Sequence, residues 1–196
     1  MNKIGFYIVL ILIFLGLSKS FSPRESKIVY IKNQRVFKNF FTGAPLSIIL
    51  VESFKTGFFI KSYYQRYRVI YGFQKPYYIT VRTSQSFWEN NLQNIGMSLF
   101  RREEKALAES SVPMPPGVLY LNNYSYGSWV RHESGNRIWQ FHKAYRENQG
   151  LNFPQFFGWN SYLPTKKFWE VAQIYLREER AFYGLNKEFG LSLIHI

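Results

Sequence analysis

The hydrophobic pattern opens with a near-unbroken apolar run from Ile4 to Leu17, preceded by Asn2-Lys3 and followed by Ser18, Lys19 and Ser20. A membrane-spanning helix takes roughly 17 to 25 apolar residues, so this run is short for a span. Ser18 and Ser20 have the spacing of a signal-peptidase site, and residues 1–20 read as a cleaved secretory signal. The alternative is an uncleaved N-terminal membrane anchor.

Beyond it the pattern shifts towards period two. Strands are expected over Lys27–Ile31, Leu46–Val51, Gly57–Gln65, Tyr67–Phe73 and Tyr77–Arg82, rich in aromatic and β-branched residues and punctuated by Thr42-Gly43, Thr56-Gly57 and Lys75-Pro76. Alternation puts Tyr67, Val69, Tyr71 and Phe73 on one face and Arg68 and Ile70 on the other; Tyr77, Ile79 and Val81 oppose Tyr78, Thr80 and Arg82. The expected result is a greasy inner face and a mixed outer face carrying Arg68, Tyr78 and Arg82, which Lys61 and Tyr63 join if the register allows.

Ser86-x-x-Glu89 forms a capping box that opens a helix through Trp88, Leu92, Ile95, Leu99 and Ala106, with Arg101–Lys105 as its solvated face. Three prolines and a glycine between Ser110 and Gly117 mark a break. A strand is then expected at Val118–Leu121. A hairpin over Ser128–His142 turns at Gly135-Asn136, setting His132 opposite Trp139 and Glu133 opposite Ile138. Gly150–Pro164 is loop-like and aromatic, and Thr165 caps a last helix through Phe168, Val171, Ala172, Tyr175 and Phe182.

The pattern as a whole gives an α+β fold: a twisted antiparallel, meander-like sheet with two amphipathic helices and a C-terminal aromatic lobe. Its divisions are the signal (1–20), a basic aromatic sheet plus helix (21–110), a Pro-rich linker (111–117) and a hairpin, aromatic loop and helix (118–190), the last forming one domain with 21–110 or a second lobe. Leu191–Ile196 matches the translation of a transposase sequencing adapter, CTGTCTCTTATACACATC. The natural chain is therefore expected to end or continue after Gly190.

Composition narrows the chemistry. Cysteine is absent and all twelve acidic residues are glutamate, which excludes disulfides, thiolate sites, an Asp-rich calcium loop and any triad oriented by aspartate. No P-loop, dinucleotide fingerprint, nucleophile elbow or zincin motif is present. Residues 21–84 carry eleven Lys/Arg against two Glu, and residues 85–190 twelve against ten, so the charge is concentrated where the strands are expected. Clustered positive charge calls for an acidic partner. After export that partner is an anionic envelope glycan, lipid head groups or an envelope protein, and nucleic acid is not expected.

His132 and His142 with Glu133 invite a zinc reading, but the expected hairpin register puts the histidines on opposite faces, short of the three ligands a catalytic zinc needs. Glu133-Ser134 resembles the glutamate–serine pair of lytic transglycosylases. That family's Gly-Ala-x-Gly-Leu-Met-Gln-like segment does not follow, and its glutamate ends a helix, so the catalytic role is not carried over. Independently, Glu133 beside Ile138 and Trp129 has the surroundings of a glycosidase acid, with Glu147 or Glu170 as second carboxyl. The residue types favour a non-catalytic binding module needing no metal or cofactor. Its ligand-binding residues are Lys61, Tyr63, Arg68, Tyr78 and Arg82 on the sheet, with Phe157 and Trp159 in the aromatic loop. A glycan-cleaving hydrolase using Glu133, or a structural assembly subunit, is the alternative.

Overall fold

The computed structural model describes residues 3–20, 28–72, 74–103, 109–131, 133, 135, 137–141 and 165–190. Six strands form one sheet: β1 (Tyr30–Ile31), β2 (Leu46–Thr56), β3 (Ser62–Tyr71), β4 (Tyr77–Thr83), β5 (Ser98–Arg102) and β6 (Glu109–Ser110), in the order β1-β4-β3-β2-β5-β6. All pairings are antiparallel except β1 with β4. The fold is α+β with a twisted antiparallel sheet, helices and a C-terminal aromatic cluster.

Residues 57–72 do not form two strands. β3 runs continuously from Ser62 to Tyr71 through Arg66, and Gly57–Lys61 is the tip of a long β2–β3 hairpin. β2 contains a bulge between Leu50 and Glu52. Before it Leu46, Ile48 and Leu50 are buried against the core; after it Glu52, Phe54 and Thr56 oppose Arg66, Tyr64 and Ser62 on the other face. One extra residue thus reverses the inward parity of the strand.

Two short helices cover the inner face. α2 (Gln34–Phe40) follows the apolar helix α1 (Lys3–Ser20) and is capped by Asn33, whose Oδ1 accepts from Val36 N at 3.0 Å. α3 (Gln85–Asn91) is capped by Ser84, not Ser86, with Oγ accepting from Phe87 N at 3.2 Å. Phe37 of α2 is the hub: its ring centroid lies 5.1 Å from Tyr67, 5.2 Å from Phe41 and 5.5 Å from Phe87. Beneath it Tyr67 donates to Gln65 Oε1 at 2.6 Å and Gln65 Nε2 donates to Ser53 Oγ at 3.2 Å, so this polar chain inside the core is satisfied.

The expected long helix through Ala106 stops far short. α3 ends in a single 3₁₀ turn (Leu92–Asn94), and Leu99 and Arg101 belong to β5. Pairing with the buried edge of β2 gave that segment more than an exposed helix face would. Arg101 is consequently buried rather than solvated, being only 3 % exposed.

The 111–117 stretch, expected as a linker, is held to the sheet. Ser98 and Met114 exchange backbone hydrogen bonds of 2.8 and 3.1 Å, and Phe182 N donates to Pro113 O at 3.1 Å. Val118–Tyr120 is a 3₁₀ turn rather than a strand. The last helix, α4 (Thr165–Arg177), ends before Phe182. Phe182 reaches the core from the following segment, where it packs on Phe168 and Tyr175 at 5.0 and 5.1 Å. One buried cluster includes Ile48, Tyr67, Met114, Trp139, Phe168 and Phe182.

Candidate functional site

On the outer face the sheet divides in two. At the β5 side Ser47, Ile49, Ile70, Ser98 and Arg101 are buried. Towards the hairpin tip the face is open. There the register aligns Phe54 with Tyr64 and Arg82, Glu52 with Arg66 and Thr80, and Arg68 with Tyr78. Directly opposed residues on neighbouring antiparallel strands share a face, so these side chains form one surface.

Arg66 lies over the Tyr78 ring at 4.9 Å and Arg68 over the same ring at 6.0 Å. Phe54 and Tyr64 stack at 5.4 Å with their planes 13° apart. Glu52, Phe54, Arg66, Tyr78 and Thr80 line a shallow depression of about 370 Å³. The guanidinium groups offer planar donors suited to carboxylate or phosphate, while the Tyr78 ring holds those cations and the Phe54–Tyr64 stack offers apolar surface. Glu52 adds an acceptor for hydroxyl or amine groups.

Of the residues nominated from sequence, Arg68, Tyr78 and Arg82 lie on this face. Tyr63 does not: it opposes Thr83 on the inner side and its ring sits 5.3 Å from Trp88. Lys61 is exposed at the hairpin tip, before β3 begins. Phe157 and Trp159 lie outside the described residues. Glu52, Phe54, Tyr64, Arg66 and Thr80 were missed as site residues. Breaking the strand at Arg66 hid the alternation Tyr64-Arg66-Arg68, which would have placed all three together.

The hairpin register expected around Glu133 is not the one that forms. In the hairpin of β7 (Gly127–Arg131) and β8 (Arg137–Phe141), Trp129 opposes Trp139 and Val130 opposes Ile138, three residues out of the expected register. The Trp129 and Trp139 rings meet edge to face at 5.3 Å, a contact between large aromatic side chains that this register brings about. Glu133 is exposed in that turn. Glu170 is exposed on α4 with Lys166 Nζ at 3.6 Å. His132, His142 and Glu147 lie outside the described residues, and among the described residues no group of three His or Glu is placed to hold a metal.

Burial perturbs groups away from the open face. It pushes the Tyr67 hydroxyl far above its ordinary value and raises Tyr183 in the same direction. It lowers the Arg101 guanidinium to about 10, against smaller opposing effects of Tyr120 and Glu103. No protein family matches this chain, and no curated protein or solved structure is significantly similar to it.

Proposed function

We propose that the chain is an exported cell-envelope protein that binds an anionic envelope glycan, such as peptidoglycan or lipopolysaccharide, on the open half of its outer sheet face. The observation that carries this reading is the guanidinium–tyrosine array of Arg66, Arg68 and Tyr78 beside the Phe54–Tyr64 stack. Acidic groups of the glycan meet Arg66, Arg68 and Arg82, and sugar rings lie on the tyrosines. Phe157 and Trp159 are assigned to the same stacking role from sequence alone.

Export is supported by α1, whose side chains from Ile4 to Phe14 are apolar and exposed apart from Gly5 and the tyrosine hydroxyl. Among the described residues no helix is long and apolar enough to cross a membrane. The compartment in this reading is the periplasm or the exterior.

The test is cosedimentation of the protein with purified peptidoglycan and lipopolysaccharide at increasing NaCl. Exposed charges are screened, so binding falls as salt rises. Arg66→Gln weakens binding about tenfold, as loss of a charge-assisted hydrogen bond does. Tyr63→Ala lowers thermal stability but leaves affinity intact, because Tyr63 packs on the inner face. Salt-insensitive binding, or full binding by Arg66→Gln, overturns the assignment; retention by an envelope protein but neither glycan supports an assembly subunit instead.

A further inference from the structure

The β2–β3 hairpin ends in Gly57-Phe58-Phe59-Ile60-Lys61, and its three apolar side chains are 88, 93 and 83 % exposed. The two phenyl rings touch edge to face at 4.9 Å but cover little of each other. Gly57 has φ +92, and a Cβ there would collide with the Ile60 carbonyl. The turn is thereby closed tightly and its apolar residues project beyond the sheet. Scattered exposed apolar residues are ordinary, whereas three in succession at a protruding tip mark a contact surface.

Positive charge surrounds that tip. Lys55 and Lys61 flank it, and Lys32 lies at the same end of the sheet, as the pairings Lys55–Tyr63, Tyr63–Thr83 and Ile31–Thr83 require. The Lys55 ammonium rests 6.0 Å over Trp88. An apolar prow with a cationic collar matches the cross-section of an anionic bilayer surface, where apolar side chains enter the acyl boundary and ammonium groups stay with the phosphates. A second copy docking tip to tip would instead bring like-charged collars together.

We propose that Phe58, Phe59 and Ile60 seat in the surface of an anionic lipid bilayer, with Lys55 and Lys61 on its phosphates. The sheet-face glycan site is separate from this contact, which uses the end of the hairpin.

Because the chain has no cysteine, Phe59→Cys provides a unique attachment point for an environment-sensitive fluorophore in the full chain. Vesicles of phosphatidylcholine with phosphatidylglycerol should blue-shift the label and raise its emission several-fold. Pure phosphatidylcholine should do so less, and a label at Lys75→Cys, in the β3–β4 turn, should not respond. Reading the label rather than sedimentation keeps any attachment through α1 from imitating the result. Adding Lys55→Gln and Lys61→Gln should weaken the response by roughly tenfold or more. Arg66→Gln, which impairs the sheet-face site, should leave it intact, and loss of the signal there overturns the separation of the two contacts. The lipid assignment is overturned if the position-59 label stays in water while the protein sediments with vesicles. It is also overturned if emission rises with protein concentration alone, the mark of a second copy on the tip.

Discussion

Arg101 shows most sharply what a single position can carry. Its Nη2 donates to Ser110 Oγ at 2.9 Å, while Nε and Nη1 are buried with no hydrogen-bond partner among the described residues. A buried, unsatisfied polar group costs about 1–3 kcal/mol, and replacing a buried charge with an apolar side chain of similar volume is often neutral or stabilising. Ser110 would not be stranded, since its Oγ also accepts from Val112 N at 3.3 Å. Arg101→Met should therefore keep or raise the unfolding free energy, by about 1 kcal/mol in urea titration; a large loss would show that the guanidinium meets a partner in solution. Arg102, one residue on, contrasts with it: Nε donates to Glu109 at 2.6 Å and Nη1 to the carbonyls of Phe41 and Gly43, both at 3.0 Å. Adjacent arginines in Arg101–Lys105 look alike in sequence. Their opposite faces on β5 separate them.

Among the elements, α3 depends on Ser84. Its Oγ caps Phe87 N and also donates to Lys32 O at 2.7 Å, tying the end of β1 to the start of the helix. Ser84→Ala should cost about 1 kcal/mol in thermal or urea unfolding, while Ser86→Ala, at the position the capping-box pattern selects, should cost far less. Equal losses would contradict the assigned cap. The pattern found the right turn of chain but the wrong serine, because of the two serines there only Ser86 stands three residues before a glutamate, whereas Ser84 caps without that partner and is held by its bond to Lys32 O. The strand signals carried further: the first half of β2, β4 and both ends of β3 were legible from β-branched and aromatic residues. The bulge at Val51 and the unbroken run through Arg66 were not. Both depend on which neighbour a strand meets, and they decide whether Glu52 and Phe54 join the site.

Across the whole molecule, buried titratable groups make stability depend on alkaline pH. Tyr67 and Tyr183 are held neutral by burial, with ordinary values near 10. Above that pH the unfolded chain releases protons that the folded chain keeps, so stability present at neutral pH is lost as pH rises. Arg101 acts oppositely between about 10 and 12.5, because folded protein sheds that proton first and burial becomes less costly. Tyr67, the more deeply buried tyrosine, dominates the fall; Tyr183 adds to it and Arg101 offsets part of it. Tyr67→Phe should lose about 1 kcal/mol at neutral pH through its bond to Gln65, yet show a flatter decline above pH 10; an unchanged slope would exclude Tyr67 as its source. Composition and periodicity by themselves determined the α+β class, the aromatic strands, the excluded cysteine and aspartate chemistries and the basic half of the chain, since these follow from residue type and local spacing. Only tertiary structure decided that Arg66 joins Arg68 over Tyr78, that Tyr63 turns inward, that Glu133 is left in a turn and that Phe58–Ile60 protrude. Each of those outcomes rests on strand register, and register is settled by long-range side-chain packing that local alternation does not encode.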